Sequence, residues 1–303
     1  MRAIIRSLIT LAAGLAASSA CAQDKGTLDP KPLPPLANPS DPKLPAKEVF
    51  GRKMTPASGP ARSIGFYSRG CVAGAVALPL DGASWQVMRP SRDRNWGNPA
   101  IIAFLERASA KAKARGAWNG ILVGDIGQPR GGPMLTGHAS HQVGLDADVW
   151  LTQMPNQTLS RSEREEMSAV NIVTEDGLSV DPSVWTEGQA GIIQAAAEDP
   201  ATDRIFVNAA IKKALCATHH GEPWMTKVRA YWGHNYHFHI RIKCPAGETT
   251  CKPQDPVPPG DGCDKALDWW FTPEALHPKP GKPRPPVTMA QMPPECRKIA
   301  AEK

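Results

Sequence analysis

The chain has 303 residues, 41% of them apolar and 21% charged, which excludes a disordered protein and suits one large or two small cored domains. Its 35 Lys+Arg against 29 Asp+Glu give a formal charge of +6, spread without the basic block that nucleic-acid binding uses, so no nucleic-acid partner is expected. Of the 31 prolines, nine lie in 28–60 and twelve in 253–294, and proline breaks helix and central strand alike, so the folded unit should sit between two irregular ends.

Residues 1–22 read as a secretory signal: Arg2 and Arg6 start it, Leu8 to Ala17 form a short apolar run, and Ala20-Cys21-Ala22 offers a small-residue cleavage site. The run is too short to span a membrane, and no other segment reaches ~20 apolar residues. Cleavage after Ala22 removes one of seven cysteines and leaves six, an even number suited to disulfides in the periplasm or outside the cell. Lipidation of Cys21 is the lesser alternative, because Ser18 stands where such signals usually carry leucine. Residues 23–61 form a proline-rich arm, either a stiff spacer or a surface wrap.

From 62 onwards the pattern changes to that of an α+β domain, with a small, mainly antiparallel sheet flanked by helices. Cys71-Val-Ala-Gly-Ala-Val-Ala-Leu78 reads as a buried strand or packed loop. The spacing predicts a helix over 98–115, capped by Asn98, opened by Pro99, ended by Gly116, with Ile101, Phe104, Leu105, Ala108 and Ala112 on one face. A strand follows at 120–126, then a glycine-rich loop, then a strand at 145–151. Ser160 and Glu163 form a capping box for a helix to about Val173. Helices are expected at 189–198, 208–217 and 224–232, with strands at 205–207 and 237–243. Residues 252–300 form an irregular tail of the domain that begins at 62.

Five of the eight histidines fall in two tracts, His138 and His141 in one and His234, His237 and His239 in the other. Asp146 and Asp148 share a face of their strand, and His237, His239 and Arg241 share a face of theirs, because side chains alternate along a strand. If the two strands are neighbours, His141, Asp148 and His239 converge, and two imidazoles with one carboxylate suit a catalytic Zn²⁺ that keeps a fourth position open. No His-Glu-x-x-His helix is present, so His237, one step from a ligand on the same face, is the candidate base.

These residues resemble the penicillin-insensitive murein endopeptidases, within the wider group of zinc peptidases that pair His-x6-Asp with a later His-x-His. The likeness rests on Gly137-His-Ala-Ser-His-Gln142, Gly144-Leu-Asp-Ala-Asp148, Arg204-Ile-Phe-Val-Asn208, His237-Phe-His239, Ile240-Arg-Ile-Lys-Cys-Pro245 and Gly260-Asp-Gly-Cys263, and it covers roughly 62–300. The resemblance implies His141, Asp148 and His239 as zinc ligands, with His138 an additional or alternative one. It implies His237 as the catalytic histidine and His234 as a substrate-positioning one. It further implies hydrolysis of D-alanyl–meso-diaminopimelyl cross-links of peptidoglycan by zinc-activated water in the periplasm, and the disulfides Cys71–Cys296, Cys216–Cys263 and Cys244–Cys251. Some members carry a histidine where this chain has Ser179, so no second metal is expected near Asp176. The alternative functions are a D,D-carboxypeptidase or dipeptidase with the same zinc chemistry, and a non-enzymatic zinc-holding wall-binding protein. The sequence leaves the oligomeric state open, a homodimer included.

Overall fold

The computed structural model describes residues 25–279, 281 and 285–302; the expected signal segment 1–22 lies outside the described residues. In chain order the elements are α1 (Ala46–Phe50), β1 (Arg62–Phe66), β2 (Arg69–Ala73), β3 (Val76–Ala77), β4 (Asp81–Gly82), β5 (Trp85–Val87), β6 (Trp96–Gly97), α2 (Pro99–Ala114), β7 (Ile121–Val123), β8 (Asp146–Trp150) and α3 (Arg161–Glu166). They continue with α4 (Glu187–Ala197), β9 (Thr202–Val207), α5 (Ala209–His219), β10 (Val228–Ala230), β11 (His237–Ile242), α6 (Lys265–Asp268), α7 (Pro273–Leu276) and α8 (Pro294–Ala301). The fold is α+β: a seven-stranded sheet ordered β10-β9-β11-β8-β7-β5-β4, in which β10–β9 and β7–β5 are parallel and the other neighbours antiparallel.

Alternation along the central strands divides the sheet into two chemically different faces. Phe238, Ile240 and Ile242 of β11, Ala147 and Val149 of β8, and Ile205 and Val207 of β9 are buried in one apolar cluster with α2, α4 and α5. Fully burying an aliphatic or aromatic side chain is worth about 1.5–3 kcal/mol, so this face fixes the register. The opposite face then aligns His239 with Asp148 and Phe206, Arg241 with Asp146 and Arg204, and His237 with Trp150.

Local signals explain the helices that pack on the apolar face. The Asn98 side chain accepts the Ala100 N–H at 3.0 Å, and Ile101, Phe104, Leu105, Ala108 and Ala112 are all buried. A capping box at Thr186/Gln189 starts α4 on that face, and one at Ser160/Glu163 starts α3, which lies outside the apolar cluster.

Two expected helices take other forms. The helix from Ser160 stops at Glu166, because the following backbone is drawn into tertiary bonds: the Val170 N–H donates to Thr152 Oγ1 and the Ile172 N–H to the Asn235 carbonyl. In place of a helix at 224–232, Pro223–Lys227 make a 3-10 turn and Val228–Ala230 join the sheet beside β9, whose edge supplies partners for their backbone.

The irregular ends are tied to each other and to the domain. The Ala46 N–H donates to the Val287 carbonyl at 2.8 Å, and Ala46, Val49 and Phe50 share a second apolar cluster with Met289, Met292, Cys296 and Ile299. This part of the arm therefore wraps the surface. Disulfides join Cys71 to Cys296, Cys216 to Cys263 and Cys244 to Cys251, so β2 holds α8, and α5 holds the segment leading into α6. Among the described residues no helix is long and apolar enough to cross a membrane.

Candidate active site

The polar face of β8 and β11 forms the floor of a cleft of about 720 Å³. Asp148 and His239 face each other across the β8–β11 pairing. The loop after β7 supplies His141, whose backbone lies in the left-handed region at φ 65°. That conformation is costly for a residue with a Cβ, and here the Asp146 carboxylate holds it by accepting the His141 N–H at 2.9 Å. Gly144 makes the turn into β8 at φ 68°, where a Cβ would stand 2.8 Å from the Asn98 nitrogen.

Three donor atoms meet at the centre. His141 Nε2 lies 3.2 Å from His239 Nδ1 and 3.4 Å from Asp148 Oδ1, and His239 Nδ1 lies 3.3 Å from the same oxygen. Asp148 Oδ1 is buried without a hydrogen-bond partner. A tetrahedral site with 2.0–2.1 Å bonds has edges of about 3.3–3.4 Å, so this triangle fits one face of a zinc tetrahedron. His138, His141 and Asp148 also form a group that could hold a metal ion, each offering a donor atom within 4.8 Å of the others. The two sets share His141 and Asp148. They differ in which oxygen of Asp148 is approached, since His138 Nδ1 lies 3.4 Å from Oδ2.

A second layer orients these donors. His141 Nδ1 lies 2.8 Å from the Ile126 carbonyl, so its N–H donates there and Nε2 keeps a lone pair for the centre. His239 Nε2 faces Asp146 Oδ1 at 3.3 Å, and Asp146 is gripped by Arg241 through Nε at 2.8 Å and Nη2 at 3.1 Å. Arg241 lies over the Tyr67 ring at 4.1 Å. His138 bridges Asp148 to a further buried carboxylate, Asp125, at 3.0 Å; Asp125 also binds Arg94 at 2.8 Å and Arg92 at 3.2 Å.

The charges follow this layout. Burial alone would raise the pKa of Asp148, but the surrounding imidazoles of His237, His141 and His138 hold it well below the usual carboxylate range. Burial is likewise outweighed at Asp146 by Arg241 and His239, and at Asp125 by His138, Arg94 and Arg92. At His239 the two carboxylates outweigh burial and raise the pKa. At His237 burial wins over the pull of Asp148 and lowers it. His237 is thus held neutral, with Nε2 3.6 Å from Asp148 Oδ2 and Nδ1 buried without a partner.

His234 lies above the floor, its ring 4.9 Å from that of His237 and 6.0 Å from that of His239. It too has positive φ, 55°, and its Nδ1–H donates to the Trp232 carbonyl at 2.8 Å. Burial together with the charges of His237 and His239 pushes its pKa down to about 3. Asn208 secures this loop by donating to the Gly233 carbonyl at 3.0 Å, and Phe206 packs its ring 5.5 Å from that of His239.

The structure therefore lines one cleft with His138, Asp148, His234, His237 and His239 and buries His141 against Asp148 and His239, while His219 and His220 lie at the far end of α5 beside Glu222 and Asp261. Sequence reasoning passed over Asp125, Arg92 and Arg94. The only signal for Asp125 was a carboxylate in an otherwise apolar strand, Gly120-Ile-Leu-Val-Gly-Asp-Ile126.

A family model described as penicillin-insensitive murein endopeptidase matches residues 63–301. A protein named penicillin-insensitive murein endopeptidase from Yersinia enterocolitica is 42% identical over 245 residues, covering 80% of this chain and 87% of its own. Proteins of the same name from Klebsiella pneumoniae and Haemophilus influenzae are 43% and 44% identical over 255 and 254 residues, covering 83% and 82% of this chain and 90% and 85% of theirs.

Proposed function

Given that the chain belongs to the penicillin-insensitive murein endopeptidase family, we propose that it is a zinc-dependent hydrolase of D-alanyl–meso-diaminopimelyl cross-links of peptidoglycan, acting in the periplasm. The observation that carries this reading is the triangle of His141 Nε2, His239 Nδ1 and Asp148 Oδ1, with edges of 3.2–3.4 Å and an orphaned carboxylate oxygen at one corner. His141, Asp148 and His239 would hold the ion, with His138 as an additional ligand from the Asp125 side. Zinc bound there would supply Lewis acidity, polarising the scissile carbonyl and lowering the pKa of water.

The remaining work falls to the chain's own residues. His237, held neutral by burial, accepts the proton of the attacking water and passes it to the leaving amine. His234, neutral at physiological pH, places a polar edge over the reacting amide without adding charge. Arg241 and Asp146 lock the His239 ring so that Nδ1 stays aimed at the centre. Arg92 and Arg94 put positive charge on one wall, where the carboxylates of a stem peptide can be held. No serine nucleophile takes part, so a reagent that acylates a serine has no target here.

Digestion of purified cross-linked muropeptide dimers tests the reaction. The expected products are two monomers, whose masses place the break at the D-alanyl–diaminopimelyl bond. Release of a terminal D-alanine from uncross-linked stems, with dimers left intact, would make the protein a carboxypeptidase instead.

A further inference from the structure

We propose that Trp232, Trp269 and Trp270 form a platform for the sugar rings of the glycan strand, so that the protein grips the polysaccharide as well as the peptide cross-link; this rests on the murein reading above. The three indoles meet edge to face, with ring centroids 5.7 Å apart for Trp232–Trp269, 4.7 Å for Trp232–Trp270 and 5.2 Å for Trp269–Trp270. Trp232 and Trp269 each stay 45% exposed, and the neighbouring Tyr231 48%. A cluster of large aromatic side chains left in water in this way marks a binding surface.

The platform is braced. The Trp232 indole N–H donates to the Ala275 carbonyl at 2.9 Å, Lys213 Nζ sits 4.8 Å above the Phe271 ring, and the Cys216–Cys263 bond anchors the chain just ahead of α6. It is also continuous with the cleft. Rings succeed one another from His239 to Phe206 at 5.5 Å, to Tyr231 at 5.1 Å, to Trp232 at 5.9 Å and on to Trp269 at 5.7 Å.

The two sides of the cleft suit different parts of one substrate. Stem peptides of the proposed substrate carry carboxylates and no aromatic groups, which matches the Arg92 and Arg94 wall. A pyranose presents a face of weakly positive C–H groups, which is attracted to the negative face of an aromatic ring, while its equatorial hydroxyls stay in water. A braced, half-exposed indole row leading away from the metal centre therefore fits the glycan from which the stems hang.

The test uses two probes on the full mature chain: glycan strands stripped of stem peptides by an amidase, and cross-linked stem-peptide dimers that carry no sugar. Isothermal titration should show wild-type protein binding the stripped strands, and Trp269→Ala binding them about fivefold more weakly, with Trp269→Tyr close to wild type. Both variants should cleave the sugar-free dimers at the wild-type rate, which also shows that they fold. Equal glycan affinity in wild type and Trp269→Ala would overturn the proposal. So would an equal loss on the sugar-free dimers, which would assign Trp269 to the peptide or to structure alone. Because titration needs no turnover, a protein that binds glycan through Trp269 but cleaves no dimer would support the platform and overturn the murein-hydrolase reading separately.

Discussion

Replacing His239 with alanine is expected to lower the rate of cross-link cleavage by on the order of a thousandfold or more and to reduce bound metal to a small fraction of one ion per chain. His239 stands at the middle of β11 and contacts each half of the centre: His141 Nε2 at 3.2 Å, Asp148 Oδ1 at 3.3 Å, and Asp146 through its other nitrogen. Its loss takes away one of the two imidazoles of the donor triangle and leaves Asp146 held by Arg241 and the His141 N–H. The strand itself should survive, since Phe238, Ile240 and Ile242 still anchor it to the core. Initial rates on muropeptide dimers, metal content and a thermal melt of the same sample check this. A variant that keeps its metal and more than a tenth of its rate would show that His138, His141 and Asp148 suffice.

The second large effect falls on a residue that need not touch metal or substrate. Arg241→Met removes the guanidinium that grips both oxygens of Asp146 at 2.8 and 3.1 Å, in a position almost closed to solvent. Breaking a buried ion pair from one side costs about 3–5 kcal/mol, because the other charge stays behind uncompensated. Asp146 also orients His239 and pins the left-handed backbone of His141, so metal affinity should fall about 10–100-fold as well. Chemical denaturation and competition with a metal indicator measure the two effects separately. Loss of affinity without loss of stability would mean that Asp146 finds another partner and that the ion pair is not a structural strut.

The core of the site was legible because it lies on two strands whose alternation is strict. In β11 the sequence His-Phe-His-Ile-Arg-Ile assigns every residue to a face, and the structure buries Phe238, Ile240 and Ile242 opposite His237, His239 and Arg241. The helix at 99–114 was readable for a similar reason, a cap and an apolar stripe that agree. The segments read as helix at 167–173 and 224–232 show the limit of local pattern. Their propensity is weak, and backbone partners from Thr152, Asn235 and β9 decide their shape. The layer around the donors was illegible for a different reason. Arg92 and Arg94 come from a turn segment with no period, Asp125 follows an apolar strand, and only the folded chain brings both guanidinium groups within 3.2 Å of the Asp125 carboxylate. The tryptophan row was hidden likewise, since Trp232 and Trp269–Trp270 belong to segments joined through the Cys216–Cys263 region of the fold.

The most direct test combines metal content and cleavage in a single preparation. Zinc bound per chain should be close to one in protein that converts muropeptide dimers to monomers. Dialysis against a strong chelator should remove both the zinc and the activity, and added zinc should restore them together. Undiminished cleavage by the metal-free protein would contradict a catalytic role for the His141–Asp148–His239 centre.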